Sequence, residues 1–328
     1  MTVPTLAFFN NKGGVGKTSL VYHMAWMYAD LGYTVVAVDL DPQANLTAAF
    51  LGEDHVEALS EVGPAPRTIY DAISPLMRGG GEIQPLVTHQ LTPNLHVIAG
   101  NLALSSYEGD LSRDWLLCLE GNEQALRATT APWRAVSQTS EETAADVVLI
   151  DLAPNLGAIN RAALLACDHV VIPVGADQVS LHGLANLGAA LRSWRAGWKE
   201  RVDKNPVPTV PLPAGTMTPA GYVILQHVAR LDRPSTADAR WMAQLPQTYA
   251  SAILDRTTSA HHPDHDPSCL GIVKRYGSLM PLSQEAHKPI FHLKASDGAI
   301  GSHAKAVLDA RRDFEALARR IAAASWRP

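Results

Sequence analysis

The chain has 328 residues, 47% of them hydrophobic and 18% charged, with a formal net charge of −5. That length accommodates one large α/β domain with insertions or two small domains, the acidic balance supplies no global attraction to nucleic acid, and no apolar run approaches the ~20 residues that span a bilayer. The three cysteines, Cys118, Cys167 and Cys269, are far apart with no Cys-x-x-Cys pair, which argues against a disulfide framework and for a reducing compartment.

Thr5-Leu6-Ala7-Phe8-Phe9 is a short apolar run suited to a buried strand, and residues 17–31 carry helical spacing through Leu20, Met24, Met27 and Leu31. Gly32 ends that helix, because glycine accepts the left-handed conformation of a helix C-terminus. Between the two lies Asn11-Lys12-Gly13-Gly14-Val15-Gly16-Lys17-Thr18, followed by Ser19. A glycine-rich turn between strand and helix aims backbone N–H groups at phosphate, helped by the positive end of the helix. Lys17 fits a lysine that reaches the outer phosphates, and Thr18 a hydroxyl ligand of Mg²⁺, as in the Gly-x4-Gly-Lys-[Ser/Thr] pattern. Asn11 replaces the first glycine of that pattern, and Lys12 is an extra lysine placed too early to fold back easily onto its own loop.

Thr34-Val35-Val36-Ala37-Val38 reads as a parallel strand buried on both faces, and Pro42 stops the pairing. Asp39 and Asp41 therefore emerge at its carboxyl end, the edge where open α/β sheets bind ligands. Leu95–Ile98 is a further strand, and Asp146–Ile150 delivers Asp151 to the same edge. Asp168–Val174 and Gly221–Gln226 continue the series. The expected fold is thus α/β: a doubly wound, mostly parallel sheet with helices on both faces. One domain over residues 1–328 is preferred, because matching segments recur to the last helix. With no signal peptide before the first strand, the expected location is cytoplasmic.

The Lys-Gly-Gly-Val-Gly-Lys-Thr arrangement resembles the deviant phosphate loop of the ParA/MinD ATPases. The resemblance implies a nucleotide-sandwich homodimer in the ATP state, in which Lys12 touches the phosphates held by the partner. Asp41, in Asp-Pro-Gln-Ala-Asn, matches the family's Asp-Pro-Gln-Gly-Asn switch, whose aspartate orients or activates the attacking water. Asp39 is assigned to Mg²⁺ through its water shell, and Asp151 looks like the Walker-B aspartate. Asn155 through Asn160 corresponds to the second switch. Residues 274–276 would line the adenine pocket, and Leu282–Ile290 is similar to the family's Leu-Ser-Glu-Ala-Pro segment. The scattered cysteines set the chain apart from the iron–sulfur carriers of the wider class, and the early first strand leaves no room for an operator-binding extension.

Two stretches depart from the family, about 105–145 with Trp115 and Trp133, and 257–269 with His261, His262, Asp264, His265, Asp266 and Cys269. The second invites a zinc reading, but without helical spacing it reads better as a mobile polar loop. For DNA, basic stripes occur in two helices: Arg192, Arg195 and Lys199, continued by Arg201 and Lys204, and then Arg311, Arg312, Arg319 and Arg320 around a core-facing set of Val307, Phe314, Leu317 and Ile321. Such stripes would give salt-dependent, sequence-independent binding, the mode relatives use; the alternative is solvated helix faces, helped by Glu315 at i,i+4 from Arg311 and Arg319. The end of the chain, Ile321–Pro328, offers one isoleucine and one tryptophan as a membrane anchor, and so none is evident. The resemblance then implies a slow ATPase, with ATP and Mg²⁺ as cofactors and a ParB-like or other cargo adaptor as partner, nucleoid-associated when ATP-bound. A membrane-surface positioning ATPase, a regulatory switch of another assembly without DNA binding, and a nucleotide-locked scaffold remain as alternatives.

Overall fold

The structure is a computed structural model that describes residues 3–59, 65–78, 81–175, 177–207, 210–225, 236–274 and 276–326. Its elements in order are β1 (Thr5–Phe8), α1 (Lys17–Asp30), β2 (Val35–Asp39), α2 (Asn45–Leu51), α3 (Glu53–Leu59), α4 (Ile69–Met77), β3 (His89–Thr92) and β4 (Leu95–Ile98). There follow α5 (Leu104–Leu119), α6 (Glu123–Glu142), β5 (Val147–Asp151), α7 (Ala158–Leu165), β6 (His169–Val174) and α8 (Gln178–Val202). The last are β7 (Thr218–Leu225), α9 (Thr236–Ala252), β8 (Cys269–Val273), α10 (Met280–Ala286) and α11 (Ser302–Ser325). Gln226 and Arg275 lie outside the described residues.

The strands form one sheet in the order β3-β4-β2-β5-β1-β6-β7-β8. All neighbours are parallel except β3 and β4. The doubly wound, mostly parallel α/β fold expected from the apolar runs is the fold observed. Every residue of β1, β2 and β5 is buried, as strands covered on both faces require. Alternate side chains enter two cores. Ala7, Val36, Val38, Val148 and Ile150 pack with residues of α4 to α9, whereas Leu6, Phe8, Val35, Ala37 and Leu149 pack with those of α1, α2 and α11. Burying one such aliphatic side chain contributes roughly 1.5–3 kcal/mol, so a charge at Val38 or Ile150 would be badly tolerated.

The winding reverses at β1, with β5 on one side and β6 on the other. The crevice at the carboxyl ends of strands flanking such a switch point is where this architecture holds ligands. The loops after β1, β2 and β5 all open there.

The two divergent stretches acquire definite structure. Residues 105–145 fold mainly as the pair α5 and α6, with Tyr107, Leu111 and Leu126 in the core. The segment 257–269 is more anchored than a mobile polar loop: Pro263–His265 forms a short 3-10 turn, and buried Asp266 accepts the Tyr222 hydroxyl at 2.9 Å. Among the described residues no helix is long and apolar enough to cross a membrane. The two large apolar groups near the chain's end are turned inward: Ile321 is buried and Trp326 packs on Tyr28 with ring centroids 5.1 Å apart.

Candidate nucleotide site

The loop after β1 is fixed at its start by Asn10, which the motif pattern does not include. Its buried carboxamide donates to Pro173 O at 2.7 Å and accepts the Lys12 amide at 3.0 Å, tying the loop to the end of β6. A buried asparagine directly after a strand was the available signal. Gly16 has φ +85° and no side chain to cap α1, which leaves the first amides of that helix without a side-chain cap and suits them to an anion.

Lys17 and Thr18 begin α1. Lys17 is buried, and its Nζ donates to Lys12 O at 3.3 Å. Burial lowers its pKa, opposed by the carboxylates of Asp151 and Asp41. Asp151 is completely buried at the end of β5, and neither oxygen has a hydrogen-bond partner. Its pKa is pushed up to about 8, first by burial and then by the charge of Asp39, while the nearby Thr18 hydroxyl works the other way. A desolvated carboxylate with both oxygens free, beside a hydroxyl, fits a hard divalent cation. Mg²⁺ takes oxygen ligands and keeps several waters, so Thr18 and Asp151 suffice as protein contributions.

Asp39 is hydrogen-bonded to its own chain. Its Oδ1 accepts the Asp41 amide at 3.1 Å, and its Oδ2 accepts both the Thr47 amide at 2.8 Å and the Thr47 hydroxyl at 2.7 Å. Burial raises its pKa to about 6 in spite of the Thr47 bonds. Thr47 in turn accepts the Gly100 amide at 2.8 Å, so Asp39 anchors the loop between β2 and α2. Asp41 stands in that loop, buried, with Oδ1 accepting the Gln43 amide at 2.9 Å. Ala44 completes the turn at φ +52°.

After β5, Pro154 faces the phosphate loop, 3.8 Å from where a Gly13 Cβ would stand. Asn160 holds the Asn155–Asn160 segment from within, donating to Ala153 O at 2.8 Å and Asn155 O at 2.7 Å. Lys12 lies at the rim, its Nζ 2.6 Å from Asp177 Oδ2. A cavity of about 230 Å³ opens beside the loop, lined by Val15, Gly16, Ser19, Leu225, Lys274 and Tyr276. Two of the three residues assigned to an adenine pocket thus border it, although Tyr276 donates its hydroxyl to Asp313 at 2.6 Å.

The basic stripes are not brought together. α8 packs its apolar side into one core and α11 into the other, so the stripes lie over opposite faces of the sheet. Val307, Phe314, Leu317 and Ile321 do face the core. Several arginines are already engaged: Arg192 with Ala252 O at 2.6 Å, and Arg195 with Thr216 O and Met217 O, each at 2.9 Å. Arg312 pairs with Asp309, Arg319 with Glu315 and Arg311 with Asp30, so Glu315 serves only one of the two arginines expected. Lys199 and Arg320 are exposed. Arg201 does not continue the basic end of α8: it is buried, donating to Trp115 O at 2.7 Å.

This sheet order, with a glycine-rich loop and an uncapped helix after its first strand, defines a phosphate-loop nucleoside triphosphatase fold. The chain belongs to the AAA domain family, whose model matches residues 3–203, and within it to the ParA/MinD ATPases. It is 34% identical over 188 residues to the cell division protein PomZ of Myxococcus xanthus, covering 57% of this chain and 50% of that one. It is 32% identical over 202 residues to the chromosome-partitioning ATPase Soj of Thermus thermophilus, covering 61% and 66%. The McdA protein of Cyanothece, solved as an ATP complex, superposes with a TM-score of 0.63 at 16% identity, covering 98% and 96% of the two chains. The aligned part spans 39% to 50% of the length of the first curated relatives that the chain matches.

Proposed function

We propose that the protein is an ATP-driven dimerising switch of the ParA type, which hydrolyses ATP slowly and positions or segregates a cargo. The observation that carries this reading is Asp151, buried with both oxygens unpaired beside Thr18 and Lys17, at the mouth of a helix whose first amides lack a side-chain cap. Residues Asn11 to Ser19 cradle the phosphates, and Lys17 neutralises the outer ones. Thr18, together with Asp39 and Asp151 through water, would hold Mg²⁺, which when bound draws charge from the phosphate oxygens. Asp41 orients the attacking water, while Asp39 keeps Asp41 in place through its backbone amide. Lys12 leaves Asp177 to reach the phosphates of a second protomer.

The reading extends to one domain over residues 1–328, with insertions about 105–145 and 257–269, acting in the cytoplasm. Lys274 and Tyr276 flank the base. The output is non-specific DNA attachment on the nucleoid, governed by a ParB-like or other adaptor. A second reading, a regulatory switch without DNA, is favoured by the internal engagement of Arg192, Arg195, Arg312 and Arg319. Phosphate release with Mg-ATP that disappears in Asp41→Ala supports the enzyme; equal release from the variant removes Asp41 from the chemistry. ATP-dependent retardation of duplex DNA at low salt supports the first output, and its absence supports the second.

A further inference from the structure

Glu108 lies in the second turn of α5 and reaches the start of α7, the helix that follows the second switch. One carboxylate oxygen accepts the Ala158 amide, and the other accepts the Ile159 amide at 3.0 Å. α7 has no cap from its own Ncap residue, because that residue is Gly157. A side chain there would push the carboxylate aside, since a Cβ would stand 2.5 Å from Glu108 Oε1. The negative carboxylate is well placed at the positive end of a helix, and bonds to an ionised acceptor are the stronger kind.

The same two helices are joined again one turn further on. Arg161 of α7 donates to Leu111 O of α5 at 3.2 Å, and its guanidinium lies 4.3 Å from the Trp115 ring centroid. Arg201 of α8 also lies over that ring at 3.6 Å, and Trp115 stacks on Trp198 with centroids 6.3 Å apart. α5 is therefore fastened to α7 and α8 by directional contacts as well as by packing. The Asn155–Gly157 segment is left between two holds, Asn160 on the inside and Glu108 on the outside.

We propose that Glu108 is a positioning residue of the second switch, setting through two backbone amides where Asn155–Gly157 stands, directly after the Pro154 that faces the phosphate loop. α5 then influences hydrolysis without touching nucleotide. The proposal rests on the ATPase reading above, and its test separates the two.

Glu108→Gln keeps the size of the side chain but turns an N–H donor toward amides that are themselves donors; Glu108→Ala removes the hold. Hydrogen exchange over residues 152–165 of the nucleotide-free protein should be faster in both variants. Mg-ADP affinity and the KM for ATP should stay within about twofold while kcat for phosphate release changes by about fivefold or more. Unchanged exchange in both variants overturns the proposal. So does faster exchange with kcat unaltered, which makes Glu108 a structural cap only, and so does a fall in Mg-ADP affinity in parallel with kcat, which means general damage to the site. Should the wild type release no phosphate under any condition, the ATPase reading fails and the regulatory role of Glu108 falls with it, while the exchange result still decides whether Glu108 holds the segment.

Discussion

Lys12 Nζ lies 2.6 Å from Asp177 Oδ2, and the other oxygen of that carboxylate accepts the Ser180 amide at 2.9 Å to cap α8. The extra lysine of the phosphate loop is thus held within its own chain by a residue far along the sequence. Burial works to raise the Asp177 pKa, but the Lys12 and Ser180 bonds overcome it and leave the carboxyl below its ordinary value.

Releasing that hold should make the dimer easier to form. The pair is partly exposed, so it is worth only about 0.5–1 kcal/mol. Asp177→Asn keeps an oxygen for the Ser180 amide and removes the charge. The ATP concentration at half-maximal dimerisation, followed by light scattering, should fall about two- to fivefold, in line with that energy. A rise would show that Asp177 acts in the dimer itself.

Mg-nucleotide binding should release protons near pH 7. Burial and the charge of Asp39 push the Asp151 pKa up to about 8, so the free protein holds protons there that a cation must displace. Calorimetric titration with Mg-ADP in two buffers of different ionisation enthalpy should show net proton release. Asp151→Asn should bind weakly and without that release. Buffer-independent heats in the wild type contradict the assignment.

His23 should make the fold acid-sensitive. It is fully buried, its Nδ1 is 2.6 Å from Ser19 O, and its Nε2 accepts the Ile290 amide at 3.2 Å, which sets a neutral ring. Burial lowers its pKa to about 4. The depressed folded value means that its contribution is present above the unfolded pKa of about 6.5 and is lost as pH falls toward 4. Asp39 and Asp151, raised by burial, contribute with the opposite sign as pH falls. The comparison with His23→Gln isolates the histidine: its stability advantage in denaturant unfolding should shrink by about 2 kcal/mol from pH 7 to pH 5. A constant difference contradicts it.

Ala44 occupies a left-handed position at φ +52° where the matching family switch has glycine. The strain costs an alanine about 1–2 kcal/mol, of which the greater unfolded-state freedom of glycine takes back part. Ala44→Gly should therefore stabilise the protein by about 0.5–1 kcal/mol in denaturant unfolding. Destabilisation would mean that the turn relaxes without penalty in the wild type.

The sheet was legible because strands buried on both faces read as unbroken apolar runs, as Val35–Val38 and Val147–Ile150 do. The positions of Lys17, Thr18 and Asp151 at the strand and helix ends were legible for a related reason: a motif of fixed spacing places its side chains relative to a strand end. The bonds of Asp39 to Thr47 were not, because Thr47 lies on the next helix and a strand-end carboxylate looks alike whether it meets water or a backbone amide. The internal bonds of the arginine stripes were hidden for the converse reason. Helical spacing shows which residues share a face, but not that Arg195 turns back to Thr216 and Met217 or that Arg201 sits against Trp115. Asp177 and Glu108 act through contacts across 165 and 50 residues of sequence, and no local pattern announces such pairs.

The central claim is that Lys12 joins two nucleotide-bound protomers, and the most direct test is the mass in solution of the 35.2 kDa chain with Mg-ATP, by light scattering, beside Lys12→Ala. The wild type should shift from one protomer to two on adding Mg-ATP, while Lys12→Ala binds nucleotide with similar affinity and stays at one. A variant that dimerises with ATP as the wild type does, or a wild type that never changes mass, would contradict it.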